Sequence, residues 1–371
     1  MELRNARLDE VELELVEPFE TSFGVEKKRR FLLVRLESKD GLVGYGECVA
    51  ASEPLYSSET TATAREMLST RFLPLILRAP TMSPESFHAA TRGYRGQRMA
   101  KSAVETALVD LAARSQDLSV SRWLGGRRTR VEVGVSVGIQ PSVTALVGRV
   151  GRYLEGGYRR VKLKVRPGWD SVPVRAVRQA FPDLEIWVDA NQAYPTRARE
   201  RIRTWAEANA VAQVEQPFAE RAIRASALLA RGARFRLCLD ESIVDDVSLE
   251  DALQARAITS LNVKTGRVGG LLPARALARR AARAGFPAWV GGMLESGIGR
   301  AHNVHLASLA PFTLPADLSA SDRYYREDLI ERPFVLGAGS TLEVPKGPGL
   351  GVEVREEVLR RARRASRTFH R

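Results

Sequence analysis

Five charged residues stand at nearly constant intervals in the middle of the sequence. They are Lys164, Asp189, Glu215, Asp240 and Lys264, and the intervals between them are 25, 26, 25 and 24 residues. Each of them ends a short apolar run. Three carboxylates brought to one place repel each other unless a cation lies among them. Because no His or Cys accompanies them, they favour a hard divalent ion bound through oxygen, most simply Mg²⁺, for which Mn²⁺ can substitute.

Lysine is scarce in this chain, since only eight of its 57 basic residues are lysine. A lysine retained at a site indicates a property that arginine lacks, namely the loss of a proton near neutral pH. Lys164 and Lys264 flank the carboxylates on both sides, and we expect a nearby divalent ion and ammonium to lower the pKa of such a lysine. Lys162 shares a strand face with Lys164. It would hold Lys164 deprotonated or contact a substrate carboxylate.

The interval of about 25 residues is the length of one strand–helix unit. From residue 131 onward, β-branched runs alternate with helical stretches, which predicts a parallel sheet. The predicted strands are 131–137, 160–165, 185–189, 212–215, 236–240, 258–263 and 288–291, with a candidate eighth at 312–315. Such a number of units favours a barrel, whose C-terminal mouth would hold the five charges at one height.

The two ends of the chain lack this alternation of predicted strands and helices. Residues 1–50 predict antiparallel strands, with an Asp-Gly hairpin signal at 40–41. Residues 58–116 predict helices, the clearest at 100–115, so this region is typical of an α+β domain. After about residue 319 the alternation breaks, and we expect the arginine-rich end to be a solvated or frayed tail.

The chain resembles the muconate-cycloisomerase-like branch of the enolase superfamily over most of its length. Within that branch it is similar to the group of o-succinylbenzoate synthases and N-succinylamino acid racemases (N-acylamino acid racemases). The resemblance rests on the Lys-x-Lys pair, the Asp/Glu/Asp triad and the lysine that follows. Further matching segments are 19–24, 134–138, 157–164, 291–299 and 321–324. The chain differs from the group at Gln192 and Ala316, where serine and glycine are expected.

This resemblance implies an α/β fold: a modified TIM barrel, (β/α)₇β, with an α+β capping domain formed from the N-terminal region and the C-terminal tail. The implied bounds are 1–124 for the N-terminal capping part, 125–318 for the barrel and 319–371 for the C-terminal segment. The implied Mg²⁺ ligands are Asp189, Glu215 and Asp240. Lys164 and Lys264 would be the acid/base groups on opposite faces of the substrate, with Lys162 in support. The implied substrate-binding residues are Phe19, Phe23, Ser136, Asn191, Gly292, Met293 and Ser296, and the loop 19–24 would close over the substrate.

The implied chemistry is removal of the proton α to a carboxylate through an enediolate. We expect dehydration to o-succinylbenzoate, a step of menaquinone biosynthesis, with N-succinylamino acid or N-acylamino acid racemisation as the alternative. Because both reactions use the same lysine pair, these residues do not separate them. The implied partner is a small carboxylate with a succinyl arm, and we expect a homo-oligomer.

The net charge of +13 and the pI of about 10.2 raise a remote alternative, a non-catalytic nucleic-acid-binding protein. The arginines are scattered, however, and the few aromatic residues do not alternate with basic clusters as stacking platforms would. We therefore predict no nucleic-acid partner. No apolar run is long enough for a membrane span, so we predict no membrane partner either. The first ten residues lack the apolar stretch of a signal peptide, and two cysteines allow no disulfide framework, so we expect a cytoplasmic protein.

Overall fold

An antiparallel sheet begins the chain in the computed structural model, which describes residues 1–371. Its first strands are β1 (Leu3–Glu20), β2 (Val25–Ser38) and β3 (Val43–Cys48). The Asp-Gly signal forms the turn between β2 and β3, where Gly41 has a φ of +81° that a residue with a Cβ rarely adopts. Successive side chains of β2 point to opposite faces of the sheet and join two different hydrophobic clusters. Phe31 and Leu33 join the cluster that contains the barrel core, whereas Leu32 and Val34 join a smaller cluster with the helices.

Helices cover one face of this sheet. They are α1 (Thr61–Met67), α2 (Leu73–Arg78), α3 (Pro84–Thr91), α4 (Arg98–Ser115) and α5 (Val120–Leu124), with a π-helical turn at Leu68–Phe72. The long helix α4, expected at 100–115, is buried along most of its length. It packs closely on β3 because a Cβ at Gly46 would overlap the carbonyl oxygen of Ala103. None of the helices of the chain combines the length and the apolar character that a membrane crossing requires.

A parallel sheet of seven strands follows the short strand β4 (Arg130–Glu132). Its strands are β5 (Val135–Val137), β6 (Arg160–Lys164), β7 (Glu185–Asp189), β8 (Gln213–Glu215), β9 (Arg236–Leu239), β10 (Ser260–Val263) and β11 (Ala288–Val290). The accompanying helices are α6 (Val143–Glu155), α7 (Ser171–Ala180), α8 (Arg199–Ala208), α9 (Ile223–Ala230), α10 (Asp246–Gln254), α11 (Thr265–Val268), α12 (Leu271–Arg283) and α13 (Gly297–Ala307), with a 3₁₀ turn at Thr196–Ala198. The spatial order of the strands equals their chain order. This is the curled sheet of the predicted α/β barrel.

The candidate eighth strand at 312–315 closes the barrel without forming a regular strand. Isolated parallel bridges join Ala288 to Phe312 on one side and Val133 to Ala316 on the other. The closing segment, which we define as residues 312–317, therefore connects the last strand of the sheet to the chain just before its first strand. The (β/α)₇β description is confirmed, and the last β element is an irregular one.

The C-terminal segment returns to both parts of the protein. It contains β12 (Thr341–Glu343), α14 (Glu356–Ala362) and β13 (Arg363–His370), with a 3₁₀ turn at Ser321–Arg323. Because β12 pairs with β4, the strand predicted at 131–137 is divided into β4 and β5.

Strand β13 pairs with β1 at the edge of the N-terminal sheet, so both chain ends build the capping domain as predicted. Of the expected solvated or frayed tail, the frayed alternative is wrong, because the backbone of β13 pairs with β1, whereas most side chains of β13 are exposed and therefore solvated. Arg363 and Arg364 form ion pairs with Asp9 and Glu12 of β1. The domain bounds 1–124, 125–318 and 319–371 remain our proposal.

Candidate active site

The five charged residues converge at the C-terminal end of the barrel strands. Lys164 lies opposite Asp189 in the register of β6 and β7, and Asp189 lies opposite Glu215 in the register of β7 and β8. Glu215 pairs with the residue two positions before Asp240, so the next strands are staggered. Such stagger accompanies the tilt of strands in a barrel. Lys164, Asp189 and Glu215 therefore lie at one level of the sheet, as expected. Because of the stagger, Asp240 and Lys264 lie further along their strands.

The three carboxylates form one buried cluster. Oxygen atoms of Asp189, Glu215 and Asp240 all lie within 4.8 Å of one another. Burial, together with the charge of Asp189, raises the pKa of Glu215 to about 7. A further cation among the three oxygen atoms would favour the ionised form of Glu215. An all-oxygen set of buried ligands fits a hard divalent ion.

Each carboxylate also contacts a lysine. Lys164 Nζ donates to Asp189 Oδ2 at 2.7 Å, Lys162 Nζ donates to Glu215 Oε2 at 2.8 Å, and Lys264 Nζ donates to Asp240 Oδ2 at 2.6 Å. Burial opposes the charge of Lys264, but the Asp240 carboxylate outweighs it and holds the pKa of Lys264 above its usual value. The sequence argument predicts the opposite direction beside a divalent ion, and the direction here follows from the carboxylate partner.

Lys164 and Lys264 approach the carboxylates from two sides of the barrel mouth. Lys164 ends β6 and Lys264 follows β10, so three strands separate them. Asn191 fixes the first lysine further, because its Oδ1 accepts from Lys164 Nζ at 2.8 Å. The two amino groups therefore flank the space above the carboxylate cluster.

A cavity of about 320 Å³ lies between the capping domain and the barrel mouth. Phe19, Phe23, Ser136, Asn191, Gly292 and Met293 line it, together with all three lysines of the site. Ser296 does not line it. Its buried side chain caps α13, and its hydroxyl donates to Glu47 at 2.5 Å. The structure thus brings all but one of the expected substrate-binding residues to the cavity.

Two residues that the sequence did not single out surround Asp240. Tyr56, from the capping domain, donates to Asp240 at 2.9 Å, and its ring lies 4.7 Å from Lys264 Nζ. Arg267 donates to the same oxygen, Asp240 Oδ1, whereas Lys264 contacts Oδ2. Arg267 could have been suspected from its place three residues after Lys264. Tyr56 gives no such signal, because it follows no periodic pattern.

Two further residues missed from the sequence contact the inner part of the site. Asn262 Nδ2 donates to Glu215 Oε1 at 2.5 Å. Asp317, at the end of the closing segment, pairs with Lys162 at 2.9 Å. Its position at the end of the last apolar run is the signal that could have identified it.

Four of the nine non-glycine residues with a positive φ lie in the loops around the site. Asn191, Gln192, Gln216 and Leu294 have φ values of +41°, +66°, +34° and +59°, in the left-handed region that non-glycine residues seldom adopt. Such strain is often found where a backbone must hold a functional side chain. Asn191 also donates to Glu241 at 3.3 Å. Burial, with the charge of Asp240 beside it, raises the pKa of Glu241 to about 8.

The mouth of the cavity carries two lysines of β2. Lys28 pairs with Glu14 at 3.0 Å. Lys27 has no carboxylate within ion-pair distance, unlike the other four lysines that line the cavity. Its free ammonium suits an anionic group of a bound molecule.

Comparison with known proteins agrees with this architecture. Residues 4–125 match the family described as "Mandelate racemase / muconate lactonizing enzyme, N-terminal domain". Residues 145–358 match the family described as "Enolase C-terminal domain-like". Together the two matches span most of the chain.

Individual relatives extend over almost the whole chain. An N-succinylamino acid racemase of an Amycolatopsis species is 44% identical over 360 residues, which cover 97% of each protein. An o-succinylbenzoate synthase of Geobacillus stearothermophilus is 40% identical and covers 98% of this chain and 96% of the relative. The crystal structure of an enolase superfamily member from Listeria innocua has a TM-score of 0.95 at 35% identity and covers 100% of this chain and 99% of that one. The chain therefore belongs to the enolase superfamily, with the two domains of the mandelate racemase and muconate lactonizing enzyme family.

Proposed function

We propose that the protein is a Mg²⁺-dependent enzyme that removes the proton α to a carboxylate to form an enediolate, and that its reaction is dehydration to o-succinylbenzoate. The observation that carries the proposal is the position of Lys164 and Lys264 on two sides of three buried carboxylates. Enzymes of this superfamily combine a lysine or histidine base with Mg²⁺. The relative named o-succinylbenzoate synthase, at 40% identity, supports the choice of reaction.

Asp189, Glu215 and Asp240 would hold the ion, and Mn²⁺ could replace Mg²⁺ because both accept oxygen ligands. The clustering of their oxygen atoms and the raised pKa of Glu215 support this fit. When bound, such an ion supplies positive charge that stabilises the carboxylate oxygens of an enediolate.

Lys164 in its neutral form would take the α-proton. Its amino nitrogen is held at 2.7 Å from Asp189 and 2.8 Å from Asn191, which gives the base a defined position. In dehydration, the same lysine would then assist the loss of hydroxide from the adjacent carbon. Lys264, on the other side, would stabilise the anion, and Lys162 would contact the substrate carboxylate.

Racemisation of N-succinylamino acids is the second candidate. It requires an acid and a base on opposite faces of the substrate, and the separation of Lys164 and Lys264 by three strands supplies both. The racemase relative at 44% identity favours this reaction. The same protein could catalyse both reactions, because both remove an α-proton beside a carboxylate.

The cavity supports a substrate with a succinyl arm. Phe19, Phe23 and Met293 supply apolar walls, and Lys27 supplies an unpaired cation at the mouth. We infer that the second carboxylate of the substrate lies near this ammonium. The homo-oligomer and the cytoplasmic location stay predictions.

The two reactions are separated by giving the purified enzyme each substrate in turn with Mg²⁺. One assay measures kcat/KM for formation of o-succinylbenzoate, and the other measures exchange of the α-proton of an N-succinylamino acid in deuterated water. Undetectable dehydration with fast exchange into both enantiomers would reject the synthase and leave the racemase. If neither reaction occurs, but another carboxylic acid exchanges its α-proton in a Lys164-dependent way, the substrate assignment is wrong and the chemistry stands.

A further inference from the structure

Three cations form a ladder along the inner face of β6. Arg160, Lys162 and Lys164 alternate with outward residues, so their side chains point into the barrel at successive levels. Arg160 lies deepest, and its guanidinium is 4.4 Å from the centre of the Trp187 ring. Lys164 lies at the mouth. The proposed base is therefore the last step of a buried row of positive charges.

Asp317 contacts Arg160 and Lys162, the two inner cations of this ladder. Its Oδ1 accepts from Arg160 Nη1 at 3.0 Å, and its Oδ2 lies 2.9 Å from Lys162 Nζ. The residue lines the cavity, yet its side chain is only 8% exposed. Burial alone would raise the pKa of Asp317, but Lys162 and Arg160 outweigh it and keep this carboxyl well below its usual pKa.

Arg160 in turn fastens Asp317 to the barrel. Its Nη2 donates to the carbonyl oxygens of Ala316 at 2.8 Å and Pro315 at 3.3 Å, within the closing segment. A Cβ at Gly134 would overlap this guanidinium, so the glycine leaves the space that Arg160 occupies. A single buried arginine thus holds the closing segment and orients the carboxylate that follows it.

The contacts of Lys162 show what this carboxylate does. An ammonium has three N–H donors. One donates to Glu215 at 2.8 Å, Asp317 Oδ2 lies within ion-pair distance at 2.9 Å, and Asp189 is farther away, at 3.5 Å. Held by these two carboxylates, the ammonium has a defined position from which an N–H can face a bound molecule. Without Asp317, the ammonium would be free to turn toward the carboxylate cluster.

We propose that Asp317 is a positioning residue: together with Arg160, it holds the ammonium of Lys162 so that one N–H faces the carboxylate of the bound substrate. This inference rests on the proposed function, and it adds a residue to that reaction. Asp317 acts through Lys162 and need not touch the substrate. Because negative charge grows on the substrate carboxylate as the enediolate forms, the correctly placed ammonium matters most in the transition state.

The test compares Asp317→Asn with a matched control, Asp110→Asn. Asp110 is also a fully buried aspartate that pairs with an arginine, since its Oδ1 accepts from Arg114 at 3.0 Å, but it does not line the cavity. For each protein, kcat and KM are measured by α-proton exchange of an N-succinylamino acid and by dehydration, and Tm is measured by calorimetry. We expect Asp317→Asn to lower kcat by about 10- to 100-fold with KM nearly unchanged, as misplacement of a catalytic group does.

Each outcome decides between positioning and simple barrel support. If Asp110→Asn lowers Tm but keeps kcat, while Asp317→Asn loses kcat, the positioning role is supported. If Asp317→Asn keeps kcat within about twofold, or loses it only as far as Asp110→Asn does, the role is rejected. Absence of any turnover by the wild-type enzyme would instead refute the proposed function, and with it the role of Asp317 in that reaction.

A second variant covers the case in which Asp317→Asn does not fold. Asp317→Glu keeps the charge that balances Arg160 and Lys162 but moves the carboxylate by one methylene group. We expect a folded protein with a lower kcat, because the position rather than the charge is changed. A folded Asp317→Glu enzyme with wild-type kcat and KM would overturn the proposal.

Discussion

The three carboxylates of the candidate site differ in their electrostatic surroundings, so substitutions at two of them should change the stability of the metal-free protein in opposite directions. Asp240 accepts from Lys264 at 2.6 Å and from Arg267. Burial alone would raise the pKa of Asp240, but these two cations outweigh it and hold that pKa well below its usual value. Glu215 behaves oppositely, since burial and the charge of Asp189 raise its pKa to about 7.

The size of each effect follows from these contacts. Asp240→Asn leaves two buried cations without their carboxylate, and removing one partner of a buried pair costs about 3–5 kcal/mol. For Glu215, the folded state binds the proton more tightly than the unfolded state does. The metal-free protein therefore loses about 3 kcal/mol of stability as the pH rises from about 4.5 to about 7. Glu215→Gln removes this loss, so we expect it to melt at or above the wild type at about pH 8.

Thermal unfolding in the presence of a chelator measures both effects. With an unfolding entropy of about 2.1 cal/mol/K per residue, a change of about 4 kcal/mol shifts the Tm of this chain by about 5 °C. We expect Asp240→Asn to melt about that far below the wild type at pH 8, and both variants to lose the rise in Tm that Mg²⁺ causes in the wild type. If Glu215→Gln melts as low as Asp240→Asn, the electrostatic reasoning is wrong. If either variant keeps the Mg²⁺-induced rise, that residue is not a ligand.

Three further predictions concern activity. Removal of divalent ions with a chelator should abolish turnover, and Mg²⁺ or Mn²⁺ should restore it; full activity of demonstrably metal-free enzyme would contradict the ligand assignment. Lys164→Arg and Lys264→Arg should each abolish racemisation although charge is kept, because arginine stays protonated; a Lys164→Arg enzyme that retains more than a few per cent of kcat would reject Lys164 as the base. Lys27→Gln should raise KM for an N-succinylamino acid but leave KM for the N-acetyl analogue unchanged, as measured by α-proton exchange. The control is Lys28→Gln, because the ammonium of Lys28 already pairs with Glu14 in the wild type. If Lys27→Gln changed KM equally for both substrates, the succinyl carboxylate would have to bind elsewhere.

The spacing of charged residues predicted much of the candidate site because a strand–helix unit has a nearly fixed length. Residues 24 to 26 positions apart therefore return to the same end of successive strands, and register then brings their side chains together. The same reasoning predicted seven strands. It could not describe the closing segment, whose backbone is held by the side chain of Arg160 and the absence of one at Gly134. Those contacts join distant parts of the chain and leave no local pattern.

The contact of Tyr56 with the site and the strand at the C-terminus could not be predicted from local sequence patterns for a related reason. Tyr56 comes from the capping domain, outside the periodic part of the chain, and only the docking of the two domains brings it to Asp240. The arginines of β13 suggest a solvated tail when they are considered alone. They form an edge strand because acidic residues of β1, including Asp9 and Glu12, offer partners of opposite charge.

The buried charges around the cavity favour proton transfer beside a carboxylate. In the barrel part of the site, five buried cations face five buried carboxylates: Arg160, Lys162, Lys164, Lys264 and Arg267 against Asp189, Glu215, Asp240, Glu241 and Asp317. Arg29 of β2 is also buried at the cavity, but it pairs with Glu26 and leaves this balance unchanged. A divalent ion would favour the ionised forms of Glu215 and Glu241, whose pKa is raised without it. With all five carboxylates ionised, a neutral Lys164, a divalent ion and one substrate carboxylate, the sum of these charges would be zero. Transfer of the α-proton to Lys164 adds one positive charge to the lysine and one negative charge to the substrate, so the sum remains zero. An interior of low polarity tolerates such a rearrangement far better than a net change of charge, which is why a site built in this way suits an enediolate.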